Sequence, residues 1–314
     1  MAELTVVTTN RLRPELRELI LKTAPVTLVG PEGWEEALGR ADVALAFRLQ
    51  RHHVEAAPNL KWVQILSAGA EHLPLRELAD RGVLITNVAG IHTATMSEHA
   101  LMLMLALARN FPLAYRQQQD QVWEQRPFAH MPTLAGKTAL IVGLGAIGSA
   151  LAKRLLAMEM AVLAVGRTAR HDPVVGDVVA MSDMGPLLAR ADYVILMTAL
   201  TSETRGMMDA RRFAQMKPGA VLINLARGGV VVEAALMEAL SRGQVGAAGL
   251  DVVETEPLPV GHPLWTMPNV IVTPHVGGRQ ENYMGRVVAV FTENLRRFIA
   301  QQPLQNLVDP DRGY

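Results

Sequence analysis

The sequence predicts an α/β protein: a doubly wound parallel sheet occupies its second half, and a separate βα series occupies the first hundred residues. Three observations predict this. Apolar runs at 138–142, 161–165, 193–197, 221–226, 247–250 and 270–273 read as strands covered on both faces, because they lack the polar alternation of a half-exposed strand. Gly143-Leu144-Gly145-Ala146-Ile147-Gly148 joins the first of these runs to a helical stretch from Ser149 to Ala157. Arg227, Asp251, Glu256 and His275 each stand just past an apolar run. In an open α/β sheet the carboxyl ends of the strands are where ligands bind, so these four residues are expected to share a site.

Taken in order, segments 4–7, 43–47, 62–66 and 83–86 read as strands, alternating with helical stretches such as 14–22 and 74–80. That alternation suggests a small parallel sheet. Residues 96–109 form a long helix, apolar around most of its circumference and ending before Pro112, which is read as buried between layers. Residues 117–132 are polar, with Trp123 and two prolines, and read as the approach to the second domain. Beyond the glycine-rich turn, helices near 184–190 and 210–216 separate the strands, and 281–301 is an amphipathic helix.

The glycine-rich turn carries its own chemistry. Gly143 permits the tight turn, Gly145 lets the backbone approach a pyrophosphate, and Gly148 lets the helix pack closely on the strand. The helix N-terminus then offers N–H groups and a positive dipole end to phosphates. A GxGxxG alone is weak evidence, but here it follows a strand and opens a helix, which is the context that points to dinucleotide binding.

Composition excludes other classes. The 314 residues suggest two domains, and with half of them apolar each can bury a core. Thirty basic residues balance thirty acidic ones and aromatics make up 4%, so no footprint for nucleic acid or an anionic membrane is expected. There is no cysteine, hence no disulfide, thiolate nucleophile or cysteine zinc site. The start, Met-Ala-Glu-Leu-Thr-Val-Val, has no leader-like pattern and the longest apolar run, 100–108, is too short for a membrane span. A cytoplasmic protein is the expectation. His52, His53, His72, His92, His99, His130, His171 and His262 lack metal-ligand spacing and are read as structural, so no metal is expected.

Several blocks together resemble the D-isomer-specific 2-hydroxyacid dehydrogenases: Leu66-Ser-Ala-Gly-Ala-Glu71, Met96-Ser-Glu-His99, Val142-Gly-Leu-Gly-Ala-Ile-Gly148, Asn224-Leu-Ala-Arg-Gly-Gly229, Leu250-Asp-Val-Val-Glu-Thr-Glu-Pro257 and Thr273-Pro-His-Val-Gly-Gly278. The resemblance covers essentially the whole chain. It implies a Rossmann nucleotide-binding domain, 105–278, inserted into a flavodoxin-like substrate domain made of 1–104 and 279–314. It also implies roles. Arg227 would hold a substrate carboxylate and polarise the carbonyl, tasks suited to a planar fork of donors. His275 would be the acid/base, and Glu256 its partner, whose negative charge favours the imidazolium. Asp251 is similar to the family aspartate near the nicotinamide carboxamide. Backbone N–H groups of Ser67, Ala68, Gly69 and Ala70 would bind the substrate carboxylate. Thr198, Leu225, Ala226, Gly277 and Gly278 would line the cofactor beside Arg227, Asp251 and His275. A homodimer is expected, with the apolar 96–108 helix as domain core or subunit contact.

The implied reaction is reduction of a small 2-keto acid such as glyoxylate or hydroxypyruvate to the D-2-hydroxy acid. A nucleotide-sensing corepressor of the same superfamily is the alternative outside enzymes, and a phosphite-oxidising relative the alternative within them. Departures from the family pattern are Val232, where aspartate commonly precedes Glu233, Met197-Thr-Ala-Leu-Thr201 in place of His-x-Pro-Leu-Thr, and Glu71 in place of aspartate. The first is expected to alter a helix cap or turn.

The residues also bear on which cofactor is used. A fold specific for NAD places Asp or Glu about twenty residues beyond the glycines, on the ribose hydroxyls. Here the second strand ends in Gly166-Arg167-Thr168-Ala169-Arg170, with no carboxylate before Asp172. Two guanidinium groups and a hydroxyl suit the 2′-phosphate of NADP, so NADPH is expected to be preferred, with NAD possible as a second cofactor.

Overall fold

A computed structural model describes residues 3–70, 72–311 and 313. Glu71 lies outside the described residues. The chain divides into two compact units, Met1–Ile91 with Gln280–Tyr314, and His92–Arg279.

The first unit begins β1 (Leu4–Thr8), α1 (Pro14–Thr23), β2 (Val26–Val29), α2 (Trp34–Ala37), β3 (Val43–Ala46), α3 (Arg51–Glu55), β4 (Trp62–Ile65), α4 (Leu75–Asp80) and β5 (Leu84–Thr86). All five strands are parallel, in the order β2-β1-β3-β4-β5, which is the flavodoxin-like arrangement. Helix α1 starts at Pro14, carries Glu15 in its first turn and Lys22 in its last, and buries Leu16 and Ile20. The strand β2 has no counterpart in the sequence expectation; it is four residues long and directly follows Pro25.

The second unit contains α5 (Thr93–Ala108), α6 (Phe111–Gln119), β6 (Thr138–Val142), α7 (Ala146–Ala157), β7 (Ala161–Gly166), β8 (Arg170–Asp172), β9 (Gly176–Ala180), α8 (Gly185–Leu188), β10 (Tyr193–Leu196), α9 (Ala210–Gln215), β11 (Ala220–Asn224), α10 (Glu233–Ser241), β12 (Val245–Leu250) and β13 (Val270–Val272). Its sheet runs β13-β12-β11-β10-β6-β7-β9-β8. Every pairing is parallel except β8 with β9. The strand order reverses at β6, the first strand of the unit, so the turn after β6 lies at the switch point where doubly wound sheets bind nucleotides.

By contacts the units divide at 91/92 and 279/280, where the sequence expectation is 104/105 and 278/279. Packing explains the shift. Ala100, Leu103, Met104 and Ala108 of α5 share one core cluster with Ile141, Leu151, Leu155 and Ile223, so the whole helix belongs to the second unit. Residues 117–132, read as the approach to the second domain, begin inside α6 and lie wholly within this unit.

The chain returns to the first unit through α11 (Tyr283–Ile299), which buries Val287, Val288, Phe291 and Leu295. Phe291 stacks on Trp62 with ring centroids 5.2 Å apart. A buried polar chain continues from there: Trp62 Nε1 donates to Thr86 Oγ1 at 2.8 Å, and that hydroxyl donates to Gln64 Oε1 at 2.8 Å. Asn294 Nδ2 donates to the same Gln64 oxygen at 3.3 Å. Each polar group buried here has a partner, as the cost of an unmade buried bond demands. Among the described residues no helix is long and apolar enough to cross a membrane.

Candidate active site

The glycine-rich turn has the geometry its sequence implies. Gly143 sits at φ 105°, and a Cβ there would lie 2.7 Å from the Met197 carbonyl oxygen. A Cβ on Gly148 would lie 2.5 Å from the Gly143 carbonyl oxygen, so the helix packs on the turn only because that atom is missing. Nothing stands within 4 Å of where a Cβ on Gly145 would be. Gly145 is also the N-cap of α7, whose first turn (Ala146, Ile147, Gly148) directs N–H groups out of the helix. An open backbone at the positive end of a twelve-residue helix fits a pyrophosphate.

At the end of β7, Arg167 and Thr168 are exposed. Arg170, the first residue of β8, folds back across Gly166, and its Nη2 donates to the Leu144 carbonyl at 2.6 Å. Leu144 lies in the glycine-rich turn, so the arginine side chain and the phosphate cradle adjoin. Asp172, the first carboxylate after the end of β7, accepts the N–H groups of Val174 and Val175 at 2.9 and 3.2 Å. Those bonds lower its pKa, and they fasten it to its own turn.

Two loops carry Arg227 and Glu256. The Asn224 side chain shapes the first: its Oδ1 accepts the Ala226 N–H at 3.1 Å and its Nδ2 donates to the Arg227 carbonyl at 3.4 Å. Arg227 is half-buried, and its Nη1 donates to the Ala226 carbonyl at 2.9 Å. The next residue fits only as glycine, because a Cβ on Gly228 would lie 1.8 Å from the Val253 carbonyl oxygen. That contact packs the Arg227 loop on the segment leading to Glu256.

Glu256 and His275 meet. His275 Nδ1 lies 2.7 Å from Glu256 Oε2. A carboxylate only accepts, so Nδ1 carries the proton of this bond and Nε2 takes no part in it. The Val253 N–H lies 3.4 Å from Glu256 Oε1. The two side chains are 47% and 38% exposed, which leaves the pair accessible to a small substrate.

Asp251, expected from the sequence to lie near the cofactor, is bonded to the turn that carries His275. It is 2% exposed, and both of its oxygens accept from the turn that carries His275. Thr273 Oγ1 donates at 2.6 Å and Val276 N at 2.9 Å to Oδ1, and Gly277 N at 2.8 Å to Oδ2. Burial pushes the carboxylate up, but bonds from His99, Thr273, Val276 and Gly277 outweigh it and hold the pKa at about 2. Leu225 and Ala226 are buried, and Thr198 is half-buried beside Gly143.

Sequence reasoning missed His92. Its Nδ1 lies 3.0 Å from the Gly278 carbonyl, which makes Nδ1 the protonated nitrogen. Burial pushes this imidazole down, the Gly278 bond opposes that, and the Arg227 charge lowers it further. The ring thus lies within electrostatic reach of the guanidinium. No spacing in the sequence announces it, since its partners lie far along the chain.

In the first unit, loop 67–70 follows β4. Ser67 Oγ donates to the Gly69 carbonyl at 2.8 Å and Asn87 Nδ2 to the Ala68 carbonyl at 2.8 Å. Among the described residues, no acceptor meets the N–H groups of Ala68 and Gly69.

Comparison with known proteins places this geometry in a family. Residues 101–277 match the family model described as D-isomer specific 2-hydroxyacid dehydrogenase, NAD binding domain. The chain is 36% identical over 262 residues to a D-3-phosphoglycerate dehydrogenase of Archaeoglobus fulgidus, covering 82% of this chain and 48% of that protein. It thus spans about half the length of the phosphoglycerate dehydrogenases it matches. It is 36% identical over 256 residues to a glyoxylate reductase of Thermofilum pendens, covering 80% of this chain and 75% of the relative. A solved D-isomer specific 2-hydroxyacid dehydrogenase from Xanthobacter autotrophicus Py2, in complex with NADPH and MES, superposes with a TM-score of 0.86 at 32% identity, with both chains fully covered. With a matching family model over more than half its length and a dinucleotide cradle, this chain belongs to the D-isomer specific 2-hydroxyacid dehydrogenase family.

Proposed function

We propose that the chain reduces a small 2-keto acid, of the glyoxylate or hydroxypyruvate class, to the D-2-hydroxy acid, with NADPH as its preferred reductant. The observation that carries the reading is the 2.7 Å pair of His275 and Glu256. The glyoxylate reductase of Thermofilum pendens and the NADPH-bound Xanthobacter enzyme support it from the side of the relatives.

Each group then has a task. The glycine-rich turn and the first turn of α7 hold the pyrophosphate, and Arg167, Thr168 and Arg170 the 2′-phosphate. When bound, the nicotinamide supplies the hydride that reduces the carbonyl carbon. Arg227 binds the substrate carboxylate through its fork of donors and draws electron density toward the carbonyl oxygen. The N–H groups of loop 67–70 suit a carboxylate in the same way. His275 delivers its Nε2 proton to the carbonyl oxygen as negative charge develops there, and Glu256 stabilises the imidazolium from which that proton leaves. Hydroxy-acid oxidation is the reverse, with His275 as base.

The test is initial rates with glyoxylate, hydroxypyruvate, pyruvate and phosphohydroxypyruvate, each with NADPH and with NADH. Turnover of an unphosphorylated keto acid with NADPH is expected. Turnover of none of them, or of the phosphorylated acid alone, overturns the reading. We also propose a homodimer, which light scattering giving the mass of a single chain contradicts.

A further inference from the structure

The acid/base turn holds an unusual backbone. His275 lies at φ 52°, in the left-handed region that a histidine adopts only when its surroundings fix it. The His275 N–H donates to the carbonyls of Asp251 and Thr273, both at 2.9 Å. The Asp251 carboxylate gathers Thr273, Val276 and Gly277. All these groups come from residues 251–277. One further member does not.

His99 comes from helix α5, 174 residues before Thr273. Its Nε2 lies 2.9 Å from Thr273 Oγ1 and 3.3 Å from Asp251 Oδ1. Thr273 gives its hydroxyl proton to Asp251, so its oxygen has lone pairs to accept from His99 Nε2–H. The ring also underlies the turn: a Cβ on Gly277 would lie 3.2 Å from His99 Cδ2 and 2.8 Å from Asp251 Oδ2. The His99 and Asp251 side chains are 12% and 2% exposed, so water does not substitute for either partner.

We infer that His99 is a positioning residue for the acid/base: through Thr273 and Asp251 it ties the turn bearing His275 to the core helix α5. Asp251 alone gathers the turn into its left-handed shape. His99 sets that shape against α5, whose Leu103 and Met104 are fully buried in the core of the unit. The aim of the His275 ring thus depends on a residue that touches neither substrate nor cofactor. This rests on the acid/base role proposed for His275.

Two substitutions and two readouts test the inference. His99→Leu removes the donor, and His99→Gln returns an N–H near the position of Nε2. In the leucine variant kcat for the best keto acid is expected to fall about 10²-fold, the scale of a small misplacement of a reacting group, with KM for NADPH within about twofold. Glutamine is expected to restore most of the loss. Amide exchange at Val276 and Gly277, measured without substrate, should quicken in the leucine variant and return toward wild type in the glutamine variant. If His99→Leu does not fold, Thr273→Val, which removes only the connecting hydroxyl, is expected to show the same pattern. Unchanged kcat with unchanged exchange overturns the inference, as does a loss that glutamine leaves fully in place. The exchange experiment needs no turnover, so it stands even if no 2-keto acid proves to be a substrate.

Discussion

Arg170 donates a hydrogen bond to the Leu144 carbonyl across 2.6 Å, joining the end of the second strand to the phosphate turn. Arg167, on the same strand end, is exposed. The two arginines are therefore expected to separate on mutation. Arg167→Ala should raise KM for NADPH about 10- to 100-fold, the equivalent of one charge-assisted hydrogen bond, while leaving NADH nearly unaffected. Arg170→Ala should weaken both cofactors, since it also loosens the turn. Steady-state kinetics with each reduced cofactor decides; a wild type that uses NADH as well as NADPH contradicts the preference.

His275→Ala is expected to lower kcat about 10²- to 10⁴-fold while NADPH binding, followed by nucleotide fluorescence, stays close to wild type. The proton donor is lost but the cradle is not. Arg227→Lys should be almost as damaging, because one ammonium does not span carboxylate and carbonyl together. An unchanged kcat/KM for either variant refutes the role given to that residue.

Asp251 makes stability depend on acid. Its pKa falls from 3.8 to about 2 on folding, so the unfolded chain takes up the proton first and acidification favours unfolding. The contribution, on the order of 2 kcal/mol, is complete above about pH 4 and lost as the pH falls toward 2. Urea midpoints should show Asp251→Asn well below wild type at about pH 6, with the gap narrowing by about pH 3. A gap independent of pH would exclude this source.

Helix α10 lacks a cap: Val232 is its N-cap residue and makes no side-chain bond to the first turn. The sequence expectation of an altered cap at this position is met by that geometry. Val232→Asp is expected to stabilise the protein by about 1 kcal/mol, raising Tm by roughly 2–4 °C in a scan. A lower Tm would mean that the side-chain contact of Val232 beside Gly206 outweighs the cap.

The fold was legible where burial writes itself into the sequence. Strands such as Val43–Ala46 and Tyr193–Leu196 are buried along their whole length and read as unbroken apolar runs. The hairpin of β8 and β9 was not legible, since Arg170-His-Asp172 is a short, polar edge strand, and polarity there protects an edge from pairing further. The core that the helix at 96–108 enters was not legible, because an apolar helix does not say which core it joins. In the site, Glu256 and His275 could be named because they follow strands of one sheet. His99 and His92 could not, because an isolated histidine has no period, and their partners, Thr273 and Gly278, lie 174 and 186 residues away.

The strand order has an evolutionary consequence. His275 follows β13 at one edge of the eight-stranded sheet, and Arg170 opens β8 at the other, with β6 and its glycine turn in the interior. On the roles proposed here, the residues that choose a nucleotide and the pair that moves a proton lie on opposite flanks of the sheet. Substitutions on the two flanks should combine additively in free energy. Selection can then retune coenzyme use by altering one surface hairpin, without reopening the proton-transfer machinery to mutation.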